Sequence, residues 1–337
     1  MLFGKKTAFF EVEDWERDYL KKNLKGLSIT FFNKPLSLDN ISKVKNIEIF
    51  GVFIYSKITK DILDKLPKLK IIATMSTGYD HIDMNECRSR GIIVCNVPFY
   101  GENTVAEHTF ALILNLSRKI TESIHRTHKN DFTVDGLRGF DLKGKTLGLI
   151  GTGHIAAHVA RIANGFEMNL LGYDMNQDQE LIQKYGMKYV DLNNLLKNSD
   201  VISLHLPLND KTKHIINSKN ISLIKPTSLL INTARGGLIE TDALFKAING
   251  KKIAGAGLDV LEEEAVIKEE KQLLSQEFKA KYDPNTVLED HMLLRFDNVL
   301  ITPHNAFNSE EALKRILDTT IDNINAYKKK SSANVVK

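Results

Sequence analysis

Three residues that could do chemistry together each follow a strand-like apolar run: Arg235 after SLLINTA, Glu264 after AGLDVLEE and His304 after NVLITP. A guanidinium offers a planar fork that can grip a carboxylate and a carbonyl oxygen at once, and an imidazole can give or take a proton at an oxygen. A carboxylate such as Glu264 can pair with the histidine and favour the protonated form that a reduction consumes. The set suits hydride chemistry on a 2-keto acid. Each residue also has a plainer reading: Arg235 as a surface ion-pair partner, Glu264 as one member of the EEE run at 262–264, His304 as a loop histidine. Their shared placement carries more weight. In an open α/β sheet ligands bind beyond the carboxyl ends of the strands, so a single sheet would bring the three together.

Upstream, the strand-like TLGLI runs into GTGHIA and then a helical stretch, which puts Gly151, Gly153 and Ala156 at the three positions of a GxGxxG/A fingerprint. Gly151 would permit the tight turn, Gly153 would let backbone amides approach a pyrophosphate, and Ala156 is small enough for helix–sheet packing. His154 and Ile155 open the helix, and the histidine could donate to a phosphate. Asp174 closes NLLGYD 23 residues beyond Gly151, near the spacing of a ribose-binding acid. Its charge would repel a 2′-phosphate, and no basic residue follows in YDMNQDQ, so the expected cofactor is NAD, with NADP the lesser option. His154 with His158, and His125 with His128, have helical spacing but no third ligand, so no metal is expected.

These residues need two strand–helix series to hold them. TAFFEV, SITFF, IEIFGVFI, LKIIATM and IIVCNV read as strands of a first series; TLGLIG, NLLGYD, YV, VISLHLP, SLLINTARG, KIAGAGLDV and NVLITPH read as a second. Between them, 102–129 has apolar residues at helical spacing and no Gly or Pro, which predicts one long helix. The last helix is expected to start from a capping box of Asn308 and Glu311 and to cross back onto the first domain. The charged, weakly periodic stretch 265–297 reads as an excursion near the site.

At 337 residues the chain is long enough for two domains, and 42% hydrophobic residues can give each a core. No apolar run approaches the roughly 18 residues of a membrane span. A net charge of +4, spread along the chain, argues against nucleic acid as a partner. The opening MLFGKKTAFFEVEDWE has no apolar core of a secretion signal, and Cys87 and Cys95 are too few for a disulfide framework. The expected compartment is the cytoplasm.

The order GTGHIA, NTARGG, GLDVLEEE and ITPHNAF, with STGYDHID, NTVAEHTFALIL and VISLHLPL, resembles the D-isomer-specific 2-hydroxyacid dehydrogenases over nearly the whole chain. The nearest branch is the NAD-dependent D-lactate one. The resemblance implies two doubly wound domains with parallel sheets, Rossmann-like and flavodoxin-like. Residues 1–101 plus 305–337 would bind substrate, 102–304 would bind NAD, and the active site would lie in the cleft between the domains. Arg235 would bind substrate, His304 would be the general acid/base and Glu264 its partner, with Asp259 near the nicotinamide and the histidine. Ser76, Thr77 and Gly78 would present loop amides to the substrate carboxylate, Gly78 supplying the φ freedom of a tight turn.

Tyr55, Tyr100 and Phe307 fall at pocket-wall positions, which favours a small substituent and hence pyruvate. Val105, His205, Pro207, Thr233 and Ala234 match positions lining the NAD cleft. A homodimer built around the NAD domains is also implied. Two departures stand out: His154 where the family often has arginine, and Ala265 where proline is common after the glutamate. Other D-2-hydroxyacid activities, on 2-hydroxyisocaproate, hydroxypyruvate or glyoxylate, remain alternatives, as does an NADH-sensing co-repressor-like scaffold without turnover.

Overall fold

The computed structural model describes residues 5–262, 284–331 and 333–336. The chain divides into two compact units, Met1–Tyr100 with Ser309–Lys337, and Gly101–Asn308. In the smaller unit the elements run β1 (Lys6–Phe9), α1 (Asp14–Asn23), β2 (Ser28–Phe31), β3 (Ile49–Val52), α2 (Lys60–Leu63), β4 (Ile71–Thr74), α3 (Met84–Ser89) and β5 (Ile93–Cys95). They form a parallel sheet of order β2-β1-β3-β4-β5, the flavodoxin-like arrangement. Position in the sheet explains the strand sequences. Central β3 and β4, IFGV and IIAT, are buried on both faces, whereas edge strand β2, SITF, alternates exposed and half-buried residues.

The larger unit begins with α4 (Glu102–Arg118) and α5 (Ile120–Thr127). There follow β6 (Thr146–Ile150), α6 (His154–Gly165), β7 (Asn169–Tyr173), α7 (Gln179–Tyr185), β8 (Lys188–Tyr189), α8 (Leu192–Asn198) and β9 (Val201–Leu204). The series ends with β10 (Leu229–Asn232), α9 (Thr241–Asn249), β11 (Gly255–Leu258), α10 (Pro284–Leu293) and β12 (Val299–Ile301). The parallel sheet has the order β12-β11-β10-β9-β6-β7-β8. Read from β8 to β11 this is the dinucleotide-binding order, with β12 added at the edge, and the direction of winding reverses between β6 and β9. Helix α6 buries Ala156, Val159, Ala160 and Ala163, a stripe of mostly small residues that lets it lie close to the sheet.

Two expectations need correction. The predicted single helix over 102–129 is broken at Lys119, which takes a left-handed φ of 51°. Asn115 makes the break without glycine or proline: its Oδ1 accepts from the Thr121 amide at 2.9 Å and its Nδ2 donates to Thr121 Oγ1 at 2.9 Å, so α5 starts in a new direction. The last helix, α11 (Glu310–Lys328), is capped by Ser309 and not Asn308; Ser309 Oγ accepts from the Ala312 amide at 3.2 Å. It belongs to the smaller unit. Asn323 there donates to the Asn96 carbonyl at 2.8 Å, and the Tyr19 hydroxyl donates to Asp318 at 2.6 Å. Among the described residues no helix is long and apolar enough to cross a membrane, and no His, Cys, Asp or Glu group could hold a metal ion.

Candidate active site

The carboxyl edge of the larger sheet gathers the fingerprint loop. Gly151 takes φ +90°, donates to the Tyr173 carbonyl at 2.8 Å and lies so close to the end of β9 that a Cβ would meet the His205 carbonyl carbon and oxygen at 2.8 Å. Glycine is required there on both counts. At Gly153, which precedes α6, an added Cβ would meet nothing within 4 Å, so open space faces the helix N-terminus. Such an opening, next to His154 and Ile155 in the first turn, is what the expected pyrophosphate site requires. Asp174 Oδ2 accepts from the Thr152 amide at 2.7 Å and Oδ1 from the Asn176 amide at 3.0 Å. Each oxygen keeps a lone pair for a ribose hydroxyl.

Arg235, Asp259 and His304 leave three adjacent strands of one edge. Asn232, Leu258 and Ile301 are level in the register, so β10 and β12 flank β11 and their loops rise about 10 Å apart at the usual strand spacing. The Arg235 loop is folded by Asn232, whose Oδ1 accepts from the Ala234 amide at 3.1 Å and whose Nδ2 donates to the Arg235 carbonyl at 2.9 Å. Next to it Gly236 presses on the end of β11: a Cβ would meet the Leu261 carbonyl oxygen at 2.0 Å. Arg235 Nη1 donates to the Ala234 carbonyl at 2.7 Å.

Asp259 organises the histidine loop. It is 1% exposed, and it accepts from the amides of Asn305 and Ala306, both at 2.8 Å, and from the Thr302 hydroxyl. His304 takes φ +54°, uncommon for a residue with a side chain, and its amide donates to the carbonyls of Asp259 and Thr302, both at 2.9 Å. Burial works to raise the Asp259 carboxyl, but the donors from His108, Thr302, Asn305 and Ala306 together hold it below the usual range. Phe307 stands edge-on to His304, with ring centroids 6.4 Å apart.

Glu264 lies outside the described residues. Its neighbour Glu262 is engaged elsewhere, pairing with His214 Nε2 at 2.5 Å and accepting from Thr241 Oγ1 at 3.0 Å. Around the cofactor loop, Val105 and Thr233 are buried, Ala234 and His205 half-buried and Pro207 exposed. His205 Nε2 lies 2.9 Å from Ser203 Oγ, and burial holds its imidazole down to about 4.

In the smaller unit, the loop after β4 is pinned by its own side chains. Ser76 Oγ donates to the Gly78 carbonyl and Thr77 Oγ1 to the Val97 carbonyl, both at 2.7 Å. The amides of Thr77 and Gly78 donate to no acceptor among the described residues, as a carboxylate-binding loop requires. Gly78 is not among the glycines with positive φ. Tyr55 is held by Glu11, which accepts from the Tyr55 amide at 2.8 Å, and the Tyr100 carbonyl accepts from Arg315 Nε at 2.6 Å.

Residues that sequence patterns did not single out complete the arrangement. His108 Nε2 lies 3.0 Å from Thr302 Oγ1, and Thr109 Oγ1 lies 3.0 Å from Thr233 Oγ1. The Tyr189 hydroxyl donates to Thr152 Oγ1 at 2.9 Å beneath the fingerprint loop. Contacts between residues so far apart in the chain leave no periodic signal.

Comparison with known proteins points one way. The model of the D-isomer specific 2-hydroxyacid dehydrogenase NAD binding domain matches residues 110–306. A D-lactate dehydrogenase of Curvularia clavata is 34% identical over 335 residues, covering 96% of this chain and 92% of its own. A glyoxylate reductase of Thermococcus litoralis is 36% identical over 296 residues, covering 86% of this chain and 83% of its own. Among solved structures, a D-lactate dehydrogenase from Aquifex aeolicus complexed with NAD and lactic acid has a TM-score of 0.85 at 38% identity, with 96% of each chain covered.

Proposed function

This chain belongs to the D-isomer-specific 2-hydroxyacid dehydrogenase family and is an NAD-dependent oxidoreductase, and on that premise we propose that it reduces pyruvate reversibly to D-lactate. The observation that carries the reading is the left-handed His304 braced on Asp259, one strand beyond the Arg235 loop. Bound NADH supplies a hydride for the carbonyl carbon. Arg235 holds the carboxylate and the carbonyl oxygen with its fork, and His304 gives its proton to that oxygen as it becomes a hydroxyl. Glu264 partners the histidine. The amides of Ser76, Thr77 and Gly78 bind the substrate carboxylate, and Tyr55, Tyr100 and Phe307 keep the C3 substituent small.

On the cofactor side, Asp174 takes the ribose hydroxyls and disfavours a 2′-phosphate. Gly151, Gly153, His154 and Ile155 cradle the pyrophosphate, while Val105, His205, Pro207, Thr233, Ala234 and Asp259 border the remainder. The reading is tested by following NADH absorbance with pyruvate, then offering D-lactate and L-lactate separately with NAD. Turnover of pyruvate and of the D-isomer alone is expected; turnover of L-lactate would overturn it. The glyoxylate reductase relative favours glyoxylate as a second substrate. A kcat/KM for glyoxylate about tenfold above that for pyruvate would replace the assignment.

The working form is a homodimer. Phe132 is 76% and Val134 79% exposed, and Ile120 and Ile124 of the same unit are also exposed, apolar surface that a second copy of the chain would cover. Sedimentation at micromolar concentration is expected to give twice the 38.1 kDa chain mass, and a chain-mass particle would refute it. A cytoplasmic setting suits an NADH consumer with two free, buried cysteines.

A further inference from the structure

Two consecutive residues of α4 each reach a different catalytic loop. The Thr302 hydroxyl carries one proton, and that proton goes to the Asp259 carboxylate, which can only accept. His108 Nε2, 3.0 Å from the same hydroxyl, must therefore be the donor. The next residue repeats the arrangement. Thr109 Oγ1 spends its proton on the Val105 carbonyl at 2.8 Å, so the Thr233 hydroxyl donates to it at 3.0 Å. Thr302 is two residues before His304, and Thr233 is two before Arg235. The remaining described tethers of the histidine loop land on the end of β11: Thr302 on the Leu258 carbonyl, His304, Asn305 and Ala306 on Asp259. The arginine loop closes on itself through Asn232, whose carbonyl also accepts from the Asp259 amide at 2.9 Å, so the feet of the two loops are joined by backbone. Each loop has in addition one side-chain tie to α4.

We propose that His108 and Thr109 are positioning residues, adjacent staples by which α4 fixes the spacing between the arginine and histidine loops. This rests on the reading of Arg235 as the substrate grip and His304 as the proton donor. The left-handed His304 makes the need concrete, because such a residue persists only where its surroundings over-determine it. Proton delivery tolerates little error. A displacement of about 1 Å can cost about 10²-fold in rate.

The test uses the full chain with His108→Leu, His108→Gln and Thr109→Val. His108→Leu should lower kcat about 10–100-fold with NADH affinity within about twofold, and should raise the solvent deuterium isotope effect on kcat as proton transfer becomes limiting. His108→Gln, which keeps a donor, should recover most of the loss. Thr109→Val should instead raise the keto-acid KM several-fold with kcat near normal. Kinetics use whichever of pyruvate and glyoxylate the unmutated chain reduces faster.

Amide hydrogen exchange needs no substrate and judges the staples alone. Residues 304–306 should exchange about tenfold faster in His108→Leu while 233–236 stay unchanged, and Thr109→Val should show the converse. Unchanged exchange in both loops, or equal acceleration across the whole unit, would overturn the proposal. Failure of the unmutated chain to reduce pyruvate would strike the substrate assignment and leave that exchange contrast standing.

Discussion

Each unit uses a carboxylate to hold a loop at the carboxyl edge of its sheet, half-buried Glu11 in one and buried Asp259 in the other, and the two are tuned in opposite directions. In the smaller unit Glu11 follows β1 at φ +61° and accepts from the amides of Phe53 and Tyr55, at 3.1 and 2.8 Å, and from the Ser56 hydroxyl. That loop follows β3, at the switch point of the smaller sheet. In the larger unit Asp259 does the same for the loop after β12. Burial wins at Glu11 and raises its carboxyl despite the donors; at Asp259 burial pulls the same way but the donors win. His108 Nε2, which bonds Thr302 Oγ1, also lies 3.5 Å from the Asp259 carboxylate. The histidine loop is thus built around a fixed negative charge, and the Tyr55 loop around an acid that resists being charged.

The pH responses of the two clamps must therefore run in opposite senses. Asp259, depressed below its ordinary 3.8, contributes stability that is complete above that value and is lost as pH falls through its lowered one. Glu11, raised above its ordinary 4.5, contributes stability that is complete below that value and is lost as pH climbs through its raised one. The largest effect expected is from Asp259→Asn, which turns an NH₂ toward backbone amides: kcat should fall about 10²-fold or more with NADH binding retained. A normal kcat would mean that the fixed charge is dispensable. Arg235→Lys comes next, raising the keto-acid KM about 10²-fold because a point charge cannot reproduce the fork; an unchanged KM would remove the arginine from the substrate. Glu11→Gln should be milder, raising KM about 3–10-fold at near-normal kcat, since it loosens only the Tyr55 loop. A kcat loss as large as that of Asp259→Asn would erase the distinction between the clamps.

How much of this was legible depended on distance along the chain. The strand-like runs all became strands because each is a short apolar run between turn residues, and Arg235 and His304 could be placed from the strands they follow. The break at Lys119 was hidden because the Asn115 side chain makes it, in a stretch with no Gly or Pro. The cap at Ser309 was missed by one residue, in a segment where Asn308 and Ser309 both suit the position. The contact of His108 with Thr302 joins residues 194 positions apart, and no window of sequence contains both. Tyr55, Tyr100 and Phe307 came only from family resemblance, because an aromatic in a loop has no pattern to mark it.

His205 carries the comparison to a base. It follows β9, its amide donates to the Ile150 carbonyl at 2.8 Å, and its backbone is what Gly151 must approach closely. Burial lowers it from 6.5 to about 4, so as pH falls the unfolded chain takes up this proton before the folded one. Its contribution is complete above 6.5 and drains away as pH approaches 4, the same sense as Asp259 and opposite to Glu11. The His205 contribution to denaturant unfolding should therefore weaken between pH 7 and pH 5, where Asp259 stays charged in both states and Glu11 works in the opposite sense, and His205→Gln should remove that contribution while keeping a partner for Ser203. The effect is the smallest of the set, since it touches one bond at the cofactor edge and no reacting atom. A slope that His205→Gln leaves untouched would assign the acid sensitivity to another group, and a KM for NADH that rises steeply over the same range would mean that the imidazole gains its charge with the protein still folded.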